Sequence, residues 1–106
     1  MVRFLIAVKS GDVGNLISAY NFTVAALKNS NVVITMIFFY QGGSSILLNT
    51  DISSKWSQLL EIHGLEATIC ISSYKKRGIN IKLPFKPSSI LEFINTCETV
   101  DRVIQF

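Results

Sequence analysis

The chain has 106 residues, of which 49% are hydrophobic and 16% charged, and a formal net charge of +3. That length leaves room for one core and one domain, residues 1–106; the apolar content excludes a disordered chain, and no apolar run approaches the ~20 residues of a membrane helix. The mild basic excess suits an acidic protein partner or brief RNA contact and is far from that of a dedicated nucleic-acid binder.

Phe4–Val8 is a near-continuous apolar run, as in a strand covered on both faces. It is too short for a signal peptide and no small-residue cleavage site follows, so the expected compartment is the cytoplasm. Lys9–Gly14 reads as a turn without the glycine spacing or the Gly-Lys-Ser/Thr pair of a phosphate loop. From Asn15 to about Asn29, Leu16, Tyr20, Val24 and Leu27 share one stripe, joined by Ala19, Phe22 and Ala26, which predicts an amphipathic helix. The Asn21-Phe22-Thr23 sequon lies in that helix and is set aside. Val32–Tyr40, β-branched and aromatic without a charge, is the strongest strand signal. Gln41–Ser45 breaks it, either as a plain turn or as a loop bordering a site at the strand's carboxyl end. Ile46–Asn49 has no clear assignment.

Asp51 or Ser53-Ser54 caps a helix from Lys55 to about His63, with Trp56, Leu59, Leu60 and His63 along one side and Gly64 closing it. Ala67–Ile71 has the length of a buried parallel strand, and Ser72–Arg77 that of a short helix ended by Gly78. Ile79–Leu83 alternates like a strand, and Pro84-Phe85-Lys86-Pro87 ends it. Ser88-Ser89 caps a helix to about Cys97, with Ile90, Leu91, Ile94 and Cys97 facing inward. Asp101–Phe106 is the last strand. Strands joined by helical crossovers predict an α/β chain: a three-layer α/β/α sandwich on a mainly parallel sheet of about five strands.

Two cysteines, Cys70 and Cys97, in a reducing compartment do not predict a disulfide, and with His63 they make no zinc set of recognisable spacing. Cys70 ends a strand and precedes a helix, where unsatisfied N–H groups and the helix dipole favour thiolate. Lys75, Lys76 and Arg77 reinforce this if they fold back toward the sulfur. Cys70 is therefore either a nucleophile or a small buried hydrophobe. His63, in a last helical turn, is either a proton donor or a residue favoured by the dipole. Cys97 reads as core.

Several stretches together resemble TusD-type members of the DsrE-like intracellular sulfurtransferase family. They are Arg3–Val8, Val33–Tyr40 with its Phe-Phe-Tyr ending, Trp56…Leu59…His63-Gly64, Ile69-Cys70-Ile71 followed by Lys76-Arg77-Gly78, and the terminal Asp101–Phe106. The resemblance implies that Cys70 carries sulfur as a persulfide. It implies assembly with TusB-like and TusC-like paralogues into a heterohexamer, a TusA-like donor and a TusE-like acceptor. It further implies that the sulfur ends in 2-thiouridine at the wobble position of certain tRNAs, with no metal or organic cofactor in the exchange. The chain departs from that pattern in a shorter Gly78–Phe85 segment, in Ser88-Ser89-Ile90-Leu91 where Ser-Gly-Leu-Gly is common, and in Val100 where cysteine is frequent. The shortened segment also fits a rival reading, a non-catalytic structural subunit of the same kind of complex. A flavodoxin-like flavin or nucleotide binder is a third reading, without a phosphate-loop signature to support it.

Overall fold

A computed structural model describes residues 1–106. Five strands, β1 (Val2–Val8), β2 (Val32–Phe39), β3 (Ala67–Cys70), β4 (Phe85–Ser88) and β5 (Arg102–Gln105), form one sheet in the order β4-β3-β2-β1-β5. Every neighbouring pair is parallel. The helices are α1 (Val13–Leu27), α2 (Thr50–His63), α3 (Ile71–Lys76) and α4 (Ile90–Cys97), with a 3₁₀ segment over Gln41–Leu48. None is long and apolar enough to cross a membrane.

Neighbouring residues of a strand point to opposite faces, and β2 shows what covers each. Phe39 meets Trp56 of α2 and Phe85 edge-on, with ring centroids 5.3 and 5.8 Å apart. Phe38 stacks at 4.7 Å on Phe93 of α4. The first face carries the main core, in which Ile6, Val8, Leu16, Ile37, Phe39, Trp56 and Leu60 are essentially inaccessible. Strand order explains the split. β1 to β4 are laid down side by side in one direction, so right-handed crossovers put α1, α2 and α3 on one face. The return from β4 to β5 runs back across the sheet and leaves α4 on the other. The strands β3 and β4 are therefore neighbours whose following helices depart to opposite faces.

The outer strand β5 is pinned to β1 by the Asp101-Arg102 pair of the terminal motif. Asp101 accepts the Arg3 N–H at 2.8 Å, and its own N–H donates to Arg3 O at 2.9 Å. The Arg3 N–H bond, opposed by partial desolvation and aided by the Arg3 side chain, holds the Asp101 carboxyl below the usual carboxylate range.

Four expectations need correction. Ile79–Leu83 is not a strand. Gly78 takes the left-handed conformation at φ 65°, the Ile79 N–H bonds Tyr74 O at 3.0 Å and the Gly78 N–H bonds Lys75 O at 3.0 Å. That is a Schellman closure of α3, and it commits Ile79 to packing beside Tyr74 in the core. The strand comes later, at Phe85–Ser88, and contains Pro87, one of the two prolines read as its stop. Pro87 is tolerated because β4 lies at the sheet edge, where an outward N–H has no partner to lose. The second helix begins at Thr50, capped by Asn49, whose side chain accepts the Ile52 N–H at 3.1 Å. Finally, Ile90, Leu91 and Ile94 of α4 do not face inward; they are 47%, 62% and 50% exposed. Phe93 is the anchor, because α4 lies alone on its face and turns its one aromatic ring onto Phe38 and Tyr40. Cys97 is correspondingly half-buried rather than core.

Candidate functional site

Cys70 is the last residue of β3 and the N-cap of α3, with extended dihedrals of φ −60° and ψ 123°. An N-cap side chain stands over the first free N–H groups of its helix. Here the N-cap residue carries a thiol rather than a hydroxyl or carboxylate. Cys70 Sγ lies 3.3 Å from Ser72 Oγ. Burial pulls the thiol's pKa up, yet the hydroxyls and backbone N–H groups of Ser72 and Ser73 outweigh it and hold the thiol below the ordinary cysteine range. With six residues, α3 contributes through these local donors rather than through a long dipole. Cys70 is 4% exposed, but Ser72 beside it is on the surface.

Ser73 is itself held in place. Its Oγ accepts the N–H of Gln41 at 2.8 Å, which leaves the Ser73 hydroxyl hydrogen free for the sulfur. Gln41 adopts φ 49°, a conformation non-glycine residues rarely take and that needs support from its surroundings. The support is Gly42-Gly43 behind it. An added Cβ at Gly43 would come within 2.0 Å of Val8 O, and one at Gly42 within 3.0 Å of Gly11 N. These glycines let the loop after β2 lie against the backbone after β1. The Gln41–Ser45 segment thus borders the thiol and is not a detached turn.

The cations do not fold back. Lys75, Lys76 and Arg77 occupy the far end of α3, and no charge of theirs contributes to the lowered pKa of Cys70. Lys76 and Arg77 instead line a cleft of about 340 Å³ with Gln41, Ser72 and Ser73. His63 is exposed at the end of α2, where the chain enters β3, whereas Cys70 stands where it leaves. The two are not brought together. Cys97 lies beside Tyr40 on the α4 face; burial raises its thiol above the ordinary range, and burial followed by the Cys97 charge raises the Tyr40 phenol. A larger cleft, about 590 Å³, runs between Gly11–Leu16 and Ser45–Asp51 and contains no thiol, histidine or cation. Of the two thiols, the one with polar partners is Cys70. Ser72 was legible only as a small hydroxyl residue after the cysteine, and Ser73 and Gln41 were not identifiable as its partners, because they meet across 32 residues.

The comparisons with known proteins agree with this architecture. A "Sulfurtransferase TusD homolog" from Pseudomonas aeruginosa is 24% identical over 109 residues, covering 83% of this chain and 83% of that protein. A "Sulfurtransferase TusD" from Buchnera aphidicola is 27% identical over 117 residues, covering 87% and 88%. The crystal structure of the ychN protein from E. coli superposes with a TM-score of 0.84 over the whole of both chains at 16% identity, which shows the shared fold. The family described as DsrE/DsrF-like matches residues 2–106, and the chain belongs to that DsrE/DsrF-like family.

Proposed function

We propose that this chain is a sulfurtransferase that accepts a persulfide sulfur on Cys70 and relays it to the cysteine of an acceptor protein. The observation that carries the reading is a thiol at a strand exit, in the N-cap position of a helix and 3.3 Å from Ser72 Oγ, which the polar groups of Ser72 and Ser73 hold below the ordinary cysteine range. Such donors stabilise the attacking thiolate and then the persulfide anion. The sulfurtransferase names of the relatives point the same way.

The reaction is an exchange without net oxidation. The Cys70 thiolate attacks the outer sulfur of a donor persulfide. The bond to Cys70 forms as the donor's own S–S bond breaks, and the donor leaves as thiolate. The new Cys70 persulfide loses its proton to solvent. An acceptor thiolate then attacks the outer sulfur, and Cys70 departs as thiolate, stabilised again by Ser72 and Ser73.

We further propose that the chain works in the cytoplasm with TusB-like and TusC-like paralogues in a heterohexamer, between a TusA-like donor and a TusE-like acceptor. The end product is 2-thiouridine at the tRNA wobble position. The half-exposed ridge Ile90, Leu91 and Ile94 supports burial against a partner.

Intact-mass measurement after incubation with a persulfidated donor protein tests the relay. The expected result is a gain of one sulfur atom, lost again when the acceptor is added. A chain that gains no sulfur would instead be a structural subunit. Cys97→Ser is expected to load and discharge at the wild-type rate, measured in the same assay, because burial leaves its thiol protonated and it has no donor set like that of Cys70. A large loss in that variant would transfer the role to Cys97.

A further inference from the structure

We infer that the cleft beside Cys70 recognises a carboxylate carried by the protein that delivers sulfur, with Lys76 and Arg77 as specificity-determining residues; this rests on the relay proposed above. The cleft is lined by Gln41, Ser72, Ser73, Lys76 and Arg77, with no apolar and no acidic side chain among them. Ser72 and Lys76 are four residues apart on α3, and so are Ser73 and Arg77, so hydroxyls and cations share one face. The ion pairs of the chain lie elsewhere, Arg3 with Asp101 and Lys86 with Glu66. The charges of Lys76 and Arg77 therefore stand without an internal counter-charge.

Arg77 is also oriented. Its Nη1 donates to Ser73 O at 3.1 Å, which fixes the guanidinium and leaves further N–H donors for a bidentate acceptor. The Ser72 wall of the cleft touches the thiol, so an anchored carboxylate would sit about one side chain from the incoming sulfur. Exposed cations in an open cleft hold a free anion weakly. A carboxylate tethered to a docked protein arrives at high effective concentration, and the same contacts steer the approach. The occupant that gains most here is thus an acidic residue near the donor's cysteine.

The test uses the full chain at low ionic strength and two short peptides with serine in place of the sulfur-bearing cysteine, one flanked by glutamates and one by glutamines. Binding is read from backbone amide shifts. The glutamate peptide is expected to shift Ser72, Ser73, Lys76 and Arg77, to bind about tenfold more tightly than the glutamine peptide, and to lose that advantage in Lys76→Gln/Arg77→Gln and at high salt. Equal binding of the two peptides would overturn the inference. So would thiosulfate reproducing the shifts at the concentration at which the glutamate peptide is silent, since that result assigns the cleft to a free anion. Loading of wild-type Cys70 from a small uncharged organic persulfide separates the two levels. Absence of that loading would overturn the relay itself, whereas intact loading with indifferent peptides would overturn this inference alone.

Discussion

Cys70→Ser is expected to abolish sulfur uptake while leaving the thermal transition of the chain unchanged. The two halves of this result come from the same geometry. Serine is among the favoured N-cap residues, and at position 70 its hydroxyl would meet the same Ser72 and Ser73 N–H groups that now favour the thiolate. The cap is kept or improved, and the volume hardly changes. The chemistry is lost because a hydroxyl is not ionised near neutral pH and forms no persulfide. Loading would be followed by intact mass and folding by circular dichroism on one sample. A folded Cys70→Ser chain that still gains a sulfur would remove Cys70 from the mechanism.

Gly43→Ala is expected to be the most damaging of the small substitutions away from the thiol. The added methyl would stand 2.0 Å from Val8 O and 2.9 Å from Val8 C, both backbone atoms of the interior strand β1. Neither can swing aside as a side chain would. The Gly43 N–H also donates to Lys9 O and Tyr40 O, each at 2.9 Å, so any shift of the loop breaks bonds at the exits of two strands. Overpacking of this kind costs about 3 kcal/mol or more, which for a chain of this size lowers Tm by roughly 15 °C. The damage should reach Cys70 as well. Displacement of the loop carries Gln41 off Ser73 and frees the hydroxyl that faces the sulfur. Calorimetry and the rate of Cys70 alkylation check the two consequences. Alanine tolerated at 43 with wild-type Tm would show that the close approach of these two backbones is not required.

Much of the fold was legible because its signals are local. The apolar runs of β1 and β2 need no partner to be recognised, and Gly64 and Gly78 announce helix ends by a conformation that other residues avoid. The last third misled for identifiable reasons. Ile79 and Ile81 alternate like strand residues, but Ile79 is recruited by the Schellman closure of α3. Pro87 looked like a strand breaker, and whether a proline breaks a strand depends on whether that strand is at the edge, which is a property of the whole sheet. In α4 the count of aliphatic residues pointed to the wrong side, since the helix faces a single aromatic pair, Phe38 and Tyr40.

The candidate site divided in the same way. Cys70 at the end of an apolar run could be read along the chain, as could its place before a helix. Of what lowers its pKa, the backbone N–H groups at the helix start could be read, and the Ser72 and Ser73 hydroxyls could not. Three consecutive cations were the other visible feature, but hydroxyl and N–H donors about one turn nearer do the stabilising. The most distant part, the Gln41 N–H on Ser73, exists because the glycines at 42 and 43 let two strand exits touch. Long-range contacts of that kind leave no periodicity in a sequence.

The most direct measurement is the titration of Cys70 followed by thiolate absorbance, taken as the difference between the wild-type chain and Cys70→Ser. The expected midpoint lies below that of a cysteine in an unfolded peptide and below that of Cys97, whose thiol burial pushes up. The rate of sulfur loading should rise with pH through that same midpoint, since the thiolate is the nucleophile. Ser72→Ala/Ser73→Ala should move it upward, since both hydroxyl donors to the thiolate are lost. A wild-type midpoint at or above that of the unfolded peptide, unmoved when both hydroxyls are removed, would contradict a thiolate held at the exit of β3.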